Sequence, residues 1–257
     1  MLKQMMEIIR EEGRRMLEAA DILTEEKSGP EDVVTNYDRM VQENLERKLR
    51  EIMPGAGFLG EEGLETVSSS SDGSFFIIDP IDGTMNFSRG MQRSCISVAL
   101  ARDMQVVYGV VYDPYLDEMF YAERGKGAWL NGRSIRVSER TLQQGLVMFG
   151  STPYYREMSE KTFAVAKVMF DHSLDLRRTG TAAIDLCAVA AGRAEVFYEV
   201  ILSPWDYAAS SLILEEAGGR IEAMEGGPVS LTERSSVLAA NGAAWEQAAQ
   251  LVREILV

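Results

Sequence analysis

Cysteine, histidine and basic charge are what this 257-residue chain has least of: two cysteines, one histidine, and 26 lysines and arginines against 40 aspartates and glutamates. Cys95 and Cys187 each sit inside an apolar stretch, which argues against a disulfide framework and for small buried thiols in a reducing compartment. No zinc-type spacing exists. His172 has no partner histidine, so a structural role outweighs general-base catalysis despite its useful pKa. The formal net charge of −14 argues against nonspecific binding to nucleic acid or to an anionic membrane, since both rely on basic surface. Nowhere do enough apolar residues run together for a signal peptide or a membrane span, so a soluble cytoplasmic protein is expected. There is no internal repeat.

What is present is a hydrophobic content of 46%, ample for the core of one large domain or of two packed lobes. Apolar positions at helical spacing predict a helix over Leu2 to Leu23. Lys27, Ser28, Gly29 and Pro30 then mark Thr24 to Val34 as a loop rich in acidic residues, expected to order over a site when ligand binds. Asn36 or Thr35 caps the next helix, which ends at Pro54-Gly55 and carries Asp38 in its first turn. Phe58 and Leu59 lead to Glu61 and Glu62, and Ser68 to Ser71 with Asp72-Gly73 read as a surface connection. From Ser94 to Asn131, short alternating runs between turns predict an antiparallel meander. Gly125-Lys126-Gly127 lacks the spacing of a nucleotide phosphate loop. Helices become frequent after Leu142, which places a boundary near Ser138 to Gln144 and suggests lobes of residues 1–140 and 141–257. Met158 to Phe170 reads as a helix with Phe163, Val165, Ala166 and Met169 inward, and Ala194 to Val200 as a strand ending near Glu199. Gly180-Thr181 opens an alanine-rich helix whose free N–H groups suit an anion, with Thr181 as a cap. Ser203-Pro204-Trp205-Asp206 has the form of a capping box, and that helix stops at Gly218-Gly219. A strand around Val237 to Ala240 and a helix from Ala243 to Ile255 complete the chain.

The most informative stretch is Phe75-Phe76-Ile77-Ile78-Asp79-Pro80-Ile81-Asp82-Gly83-Thr84. Four apolar residues bounded by turn residues suit a strand covered on both faces. Pro80 suits the point where the ladder stops, and Gly83 permits a tight conformation or close approach of a ligand. Asp79 and Asp82 then share one mouth of the sheet, where their repulsion needs protons or hard cations such as Mg²⁺, Mn²⁺ or Ca²⁺ to offset it. An Asp-Pro turn followed by an Asp-Gly turn explains the same residues without chemistry.

That stretch resembles the Asp-Pro-Ile-Asp-Gly-Thr signature of the inositol monophosphatase family, within the lithium-sensitive, magnesium-dependent sugar phosphatases. Further blocks match in the family's order: Lys27 to Thr35 with Asp38, then Gly60-Glu61-Glu62, then Trp205-Asp206-Tyr207-Ala208-Ala209 leading to Glu215-Glu216-Ala217-Gly218-Gly219. The resemblance spans nearly the whole chain. It implies an α/β fold in α-β-α-β-α layers, with an antiparallel N-terminal sheet and a smaller C-terminal one. It also implies two or three Mg²⁺ ions, with Mn²⁺ as the alternative, held by Glu61, Asp79, the Ile81 carbonyl, Asp82 and Asp206. Glu61, Thr84 and Asp38 are then catalytic. Backbone N–H groups of Gly83 and Thr84 hold phosphate, while Asp82, Gly180, Thr181, Ala182, Glu199 and Asp206 surround the alcohol. Asn86-Phe87 and the placement of Glu199 resemble the branch acting on myo-inositol 1-phosphate. Relatives acting on fructose 1,6-bisphosphate, histidinol phosphate or adenosine 3′,5′-bisphosphate share the metal residues. The resemblance further implies a homodimer working on a small phosphate monoester, and a regulatory binding protein on the same fold is the rival. Gly150 to Tyr155 and the pair Arg177-Arg178 are candidates for substrate contact with no assigned role.

Overall fold

The computed structural model describes residues 1–63 and 73–256. The first helix, α1 (Leu2–Leu17), buries Met5, Ile9 and Met16 along one face, as its apolar spacing requires. It stops at Leu17 rather than Leu23, because Asp21 turns the backbone to φ 53° and Ala20 N donates to the Tyr37 hydroxyl. Thr24 to Val34 is a hairpin rather than a loop: β1 (Thr24–Gly29) pairs antiparallel with β2 (Asp32–Thr35), with Gly29 opposite Asp32 across a Pro30-Glu31 tip. Gly29 and Pro30 shape the hairpin turn, while β-branched Val33, Val34 and Thr35 are buried as a strand. Thr35, not Asn36, caps α2 (Asn36–Ile52).

Strand β3 (Gly57–Gly60) lies parallel to β4 (Ser74–Asp82), and the short helix α3 (Thr84–Ser88) follows. Antiparallel strands β5 (Cys95–Arg102), β6 (Gln105–Asp113), β7 (Glu118–Glu123), β8 (Ala128–Leu130) and β9 (Arg133–Ile135) extend β4 into a seven-stranded sheet in chain order. This is the expected meander, made mixed by the one parallel pair. The connection read at Ser68 to Ser71 and Asp72 lies outside the described residues.

Next come β10 (Leu146–Phe149), α4 (Ser159–His172), β11 (Asp175–Arg177), α5 (Ala182–Ala190), β12 (Val196–Leu202) and α6 (Pro204–Glu216). The chain ends with β13 (Arg220–Glu222), β14 (Ser235–Ala240) and α7 (Gly242–Leu256), and the second sheet runs β11-β10-β12-β14-β13. Strand β12 continues past Glu199 to Leu202, directly into α6. Phe163 was expected inward but is 55% exposed; the buried face of α4 is Thr162, Val165, Ala166 and Met169, and Phe163 lies to one side of it.

Alternation along the strands sets the layers. On β4, Phe76 and Ile78 face α1 and α2, whereas Phe75 and Ile77 face α5 and α6. The other side of that helical pair packs on Phe197, Val237 and Ala239 of the second sheet, whose outer residues Val196, Tyr198 and Leu238 meet α4 and α7. Cys95 and Cys187 are free and buried within the middle layer. Among the described residues no helix is long and apolar enough to cross a membrane.

Helix α6 approaches the large sheet so closely that Gly109 of β6 faces its backbone: a Cβ there would stand 2.4 Å from the Ala209 carbonyl oxygen. Gly109→Ala is therefore expected to cost about 1–3 kcal/mol, the usual penalty of overpacking. A urea midpoint that does not move would show that α6 can ride outward without loss.

Candidate active site

The site begins where β4 ends. Residues three apart on a regular strand point to opposite faces, yet the electrostatic fields of Asp79 and Asp82 act on each other. The pairing explains this: Asp79 faces Ser97 and Asp82 faces Cys95, so β4 carries one extra residue between them. A bulge of this kind re-aims a side chain. Pro80 therefore does not stop the ladder as expected; it sits in the bulge, where its missing N–H costs no hydrogen bond. The turn comes at Gly83, whose φ of 89° is left-handed. A Cβ at Gly83 would also lie 2.4 Å from Thr181 Cγ2, so the loop and the start of α5 are in direct contact.

Thr84 Oγ1 lies 3.0 Å from both Asp38 Oδ1 and the Ile81 carbonyl oxygen, offering its one proton to either. Asp38 is fixed by a capping box, its Oδ2 accepting from the Thr35 N–H at 2.8 Å and from the Thr35 hydroxyl. Burial raises the Asp38 pKa, partly offset by these donors. Asp206 closes a second capping box at the start of α6, accepting from Ser203 N at 2.7 Å, as its sequence pattern predicts. Asp82 Oδ2 accepts from Ala183 N at 2.7 Å. The Ala183 N–H in the first turn of α5 is thus taken by a carboxylate from the other sheet; Thr181 holds the cap position with its hydroxyl on Thr179 Oγ1 at 3.0 Å.

Glu61 follows β3 and receives Lys27 Nζ from the hairpin at 3.1 Å; the same ammonium also meets Glu62. Glu62 is further engaged through its backbone by Gln42. Burial lifts Glu61 and Asp82 to about 7 and Asp79 and Asp206 well above the usual carboxylate range. After burial, mutual repulsion contributes: Asp79 feels Glu61, Asp82 and Asp206, and Asp206 feels Asp82 and Glu61.

As placed, no three His, Cys, Asp or Glu side chains among the described residues enclose an ion. The donor set nevertheless fits a hard divalent cation. Its groups are all oxygens, Asp79 and Asp82 are buried, and Asp79, Asp82 and Asp206 each give one carboxylate oxygen to a backbone N–H. A carboxylate has about four lone-pair sites, so each retains an oxygen for a metal.

On the side toward the second sheet, Glu199 is buried and its pKa raised to about 7, chiefly by burial. Its Oε1 accepts from Thr152 N at 3.0 Å. Burial also raises Asp185 to about 7, and the charge of Arg178, one of the unassigned pair, offsets only part of the rise at Glu199 and Asp185, while Arg177 bonds Asp175. His172 is exposed, its Nδ1 2.9 Å from the Val168 carbonyl oxygen on its own helix. Sequence pattern gave no role to Thr152 or to Tyr154, whose phenol pKa is raised chiefly by burial and then by the charges of Glu61 and Asp206; for Thr152 the signal lay in Gly150, too close to Glu199 for any Cβ.

A sequence model described as the inositol monophosphatase family matches residues 1–256. An inositol-1-monophosphatase of Rhizobium meliloti is 38% identical over 229 residues, 89% of this chain and 84% of that protein. Nus factor SuhB of Salmonella typhimurium is 36% identical over 211 residues, 82% of this chain and 79% of that one. Among solved structures, the extragenic suppressor protein suhB of Bartonella henselae superposes with a TM-score of 0.90 at 34% identity, covering 98% of this chain and 97% of its own. With sequence, topology and the layered fold in agreement over the full length of the match, the chain belongs to the inositol monophosphatase family of phosphatases.

Proposed function

We propose that the protein hydrolyses a small phosphate monoester with Mg²⁺, myo-inositol 1-phosphate being the substrate its relatives' names favour. The observation that carries this reading is the cluster of Glu61, Asp79, Asp82 and Asp206, four carboxylates that repel one another in and at the mouth of a buried site. Such a cluster is costly unless cations neutralise it. Glu61, Asp79, the Ile81 carbonyl, Asp82 and Asp206 would hold the ions, with Mn²⁺ as an alternative. When bound, the metal supplies charge neutralisation and a more acidic water. The remaining work belongs to the chain. Asp38 fixes the Thr84 hydroxyl, and Thr84 with Glu61 orients the attacking water. Gly83 and Thr84 offer backbone N–H groups to the phosphate. Asp82, Gly180, Thr181, Ala182, Glu199 and Asp206 enclose the alcohol. We assign the assembly as a cytoplasmic homodimer.

Phosphate release from myo-inositol 1-phosphate, measured beside fructose 1,6-bisphosphate, histidinol phosphate and adenosine 3′,5′-bisphosphate, tests the reading. Turnover of the inositol ester with Mg²⁺ and none with chelator is expected. A second reading, a transcription-associated role, has support in relatives named Nus factor SuhB. A stoichiometric polymerase partner with no phosphatase activity in saturating Mg²⁺ would favour it.

The hairpin gives a separate test. Lys27 occupies Glu61, so metal must displace or reorient its ammonium, and phosphate then offers it a new partner. Amide exchange over residues 24–35 is expected to slow with Mg²⁺ plus phosphate. Unchanged exchange at saturation would leave Lys27 as an ion pair with no part in closure.

A further inference from the structure

The turn between β4 and α3 runs past the segment that opens α5, and the roles above use only one end of the seam between them. At that end Asp82 Oδ2 accepts from Ala183 N at 2.7 Å. In the middle stand two glycines, Gly83 and Gly180, each at φ 89°. A Cβ on Gly83 would lie 3.2 Å from the Gly180 carbonyl oxygen, and one on Gly180 would lie 3.0 Å from Asn86 Nδ2. Backbone therefore meets backbone there, and neither glycine has a side chain to lock the two segments together. Thr181 adds its methyl group against Gly83, while its hydroxyl faces Thr179 Oγ1.

The other end is held by Asn86. A side-chain amide carries two N–H donors, and here Nδ2 lies 2.8 Å from the Arg93 carbonyl oxygen and 2.9 Å from that of Thr179. The first bond fastens the chain on its way from α3 into β5; the second crosses the seam to a residue 93 positions away. Asn86 is buried, so water is poorly placed to stand in for the amide. Both partners are themselves anchored. Arg93 Nη1 lies 3.5 Å from Asp113 Oδ2 at the end of β6, and Thr179 Oγ1 donates to Asp185 Oδ1 of α5 at 2.6 Å. Satisfying two carbonyls would explain a buried amide anywhere in the fold. An amide that spans the seam beyond Asp82 also sets how far apart the two segments stand. Without it, the seam would be fastened by the one carboxylate that must also face a cation.

We propose that Asn86 is a positioning residue for the metal site: by clasping Arg93 and Thr179 it fixes the spacing between the β4–α3 turn and α5, and so holds Asp82 with one oxygen on Ala183 N and the other free for a divalent cation. The inference rests on the metal-dependent monoesterase reading above and deepens it. Groups that orient a ligand without touching the ion carry roughly tenfold to a hundredfold in metal affinity or activity.

The test compares full-length Asn86→Ala with the wild type and with Ile9→Ala, a destabilised control that leaves a cavity under α1, where Ile9 is fully buried. Mg²⁺ binding is read by titration calorimetry without substrate, turnover by phosphate release from myo-inositol 1-phosphate in saturating Mg²⁺, and stability by the thermal midpoint in chelator. Asn86→Ala is expected to raise the Kd for Mg²⁺ and to lower kcat, each by about tenfold, with KM changed far less. Ile9→Ala is expected to lower the midpoint and to leave Kd and kcat at wild-type values. Asn86→Ser, which keeps one hydroxyl donor, is expected to fall between wild type and Asn86→Ala, and it decides the matter if the alanine variant does not fold. Wild-type Kd and kcat in the Asn86 variants, or equal losses in Ile9→Ala, would overturn the proposal while the monoesterase reading stands. A wild-type protein that binds no Mg²⁺ would remove both.

Discussion

Asp82→Asn is expected to abolish phosphatase activity and to leave the fold intact, with a thermal midpoint in chelator equal to or above that of the wild type. The substitution keeps the side-chain volume and an oxygen to accept from Ala183 N, now at 2.7 Å from Oδ2, so the junction between β4 and α5 survives. What it removes is a charge that burial opposes, since the carboxyl is lifted to about 7. Removing an ionised group that costs free energy in the fold cannot by itself destabilise it. In the proposed mechanism catalysis depends on that same charge, as a hard ligand and as a neighbour of the alcohol. A fall in kcat/KM of at least about a hundredfold, or roughly 2.7 kcal/mol of transition-state stabilisation, is therefore expected. Retention of more than about a tenth of wild-type kcat/KM, under 1.4 kcal/mol, would take Asp82 out of the mechanism.

Much of this architecture could be read from the residues because local and global preferences agree. The apolar run of β4 is buried along its whole length, and Ser203-Pro204-Trp205-Asp206 forms the capping box its spacing announces. The misreadings fall where a residue has two structural meanings. Pro80 reads as the end of a ladder, but a bulge also accommodates it, and pairing with β5 decides the matter only in three dimensions. Gly29-Pro30 reads as a loop because β1, Thr-Glu-Glu-Lys-Ser-Gly, has neither alternation nor β propensity of its own; it is a strand because β2 pairs with it. Thr181 looks like a cap, yet the donor that needed one is met by Asp82, 101 residues away in sequence. The relation of Gly150 to Glu199 is equally invisible along the chain, since it depends on β10 and β12 lying side by side. The carboxylates themselves were legible one by one. Their convergence required the bulge, a strand end and a helix start to meet.

The same convergence predicts how stability responds to pH and metal. Glu61 and Asp82 hold their protons to about 7 in the fold, against ordinary carboxyl values near 4 in the unfolded chain. Groups whose folded pKa is raised favour the fold fully below the unfolded value, and that contribution is lost as pH rises through the folded one. Ionising one such carboxyl costs on the order of 3 kcal/mol, so in chelator the melting temperature is expected to fall between pH 5 and pH 8. At the proposed metal site, divalent cation is expected to reverse the trend. It binds the ionised ligands and competes with protons for them, so its effect is small at pH 5 and grows toward pH 8. At a concentration about a hundred times its dissociation constant, bound metal adds about 2.7 kcal/mol, and for a chain of this size each kcal/mol moves the midpoint by about 2–4 °C. A rise of about 5 °C or more with Mg²⁺ at pH 8, shrinking to near zero at pH 5, is the expected pattern. Thermal scans with Mg²⁺ and with chelator across that range decide it. Equal shifts at both pH values would mean the ion binds away from Glu61 and Asp82, and a chelated protein most stable at pH 8 would mean that these carboxylates do not oppose one another in the fold.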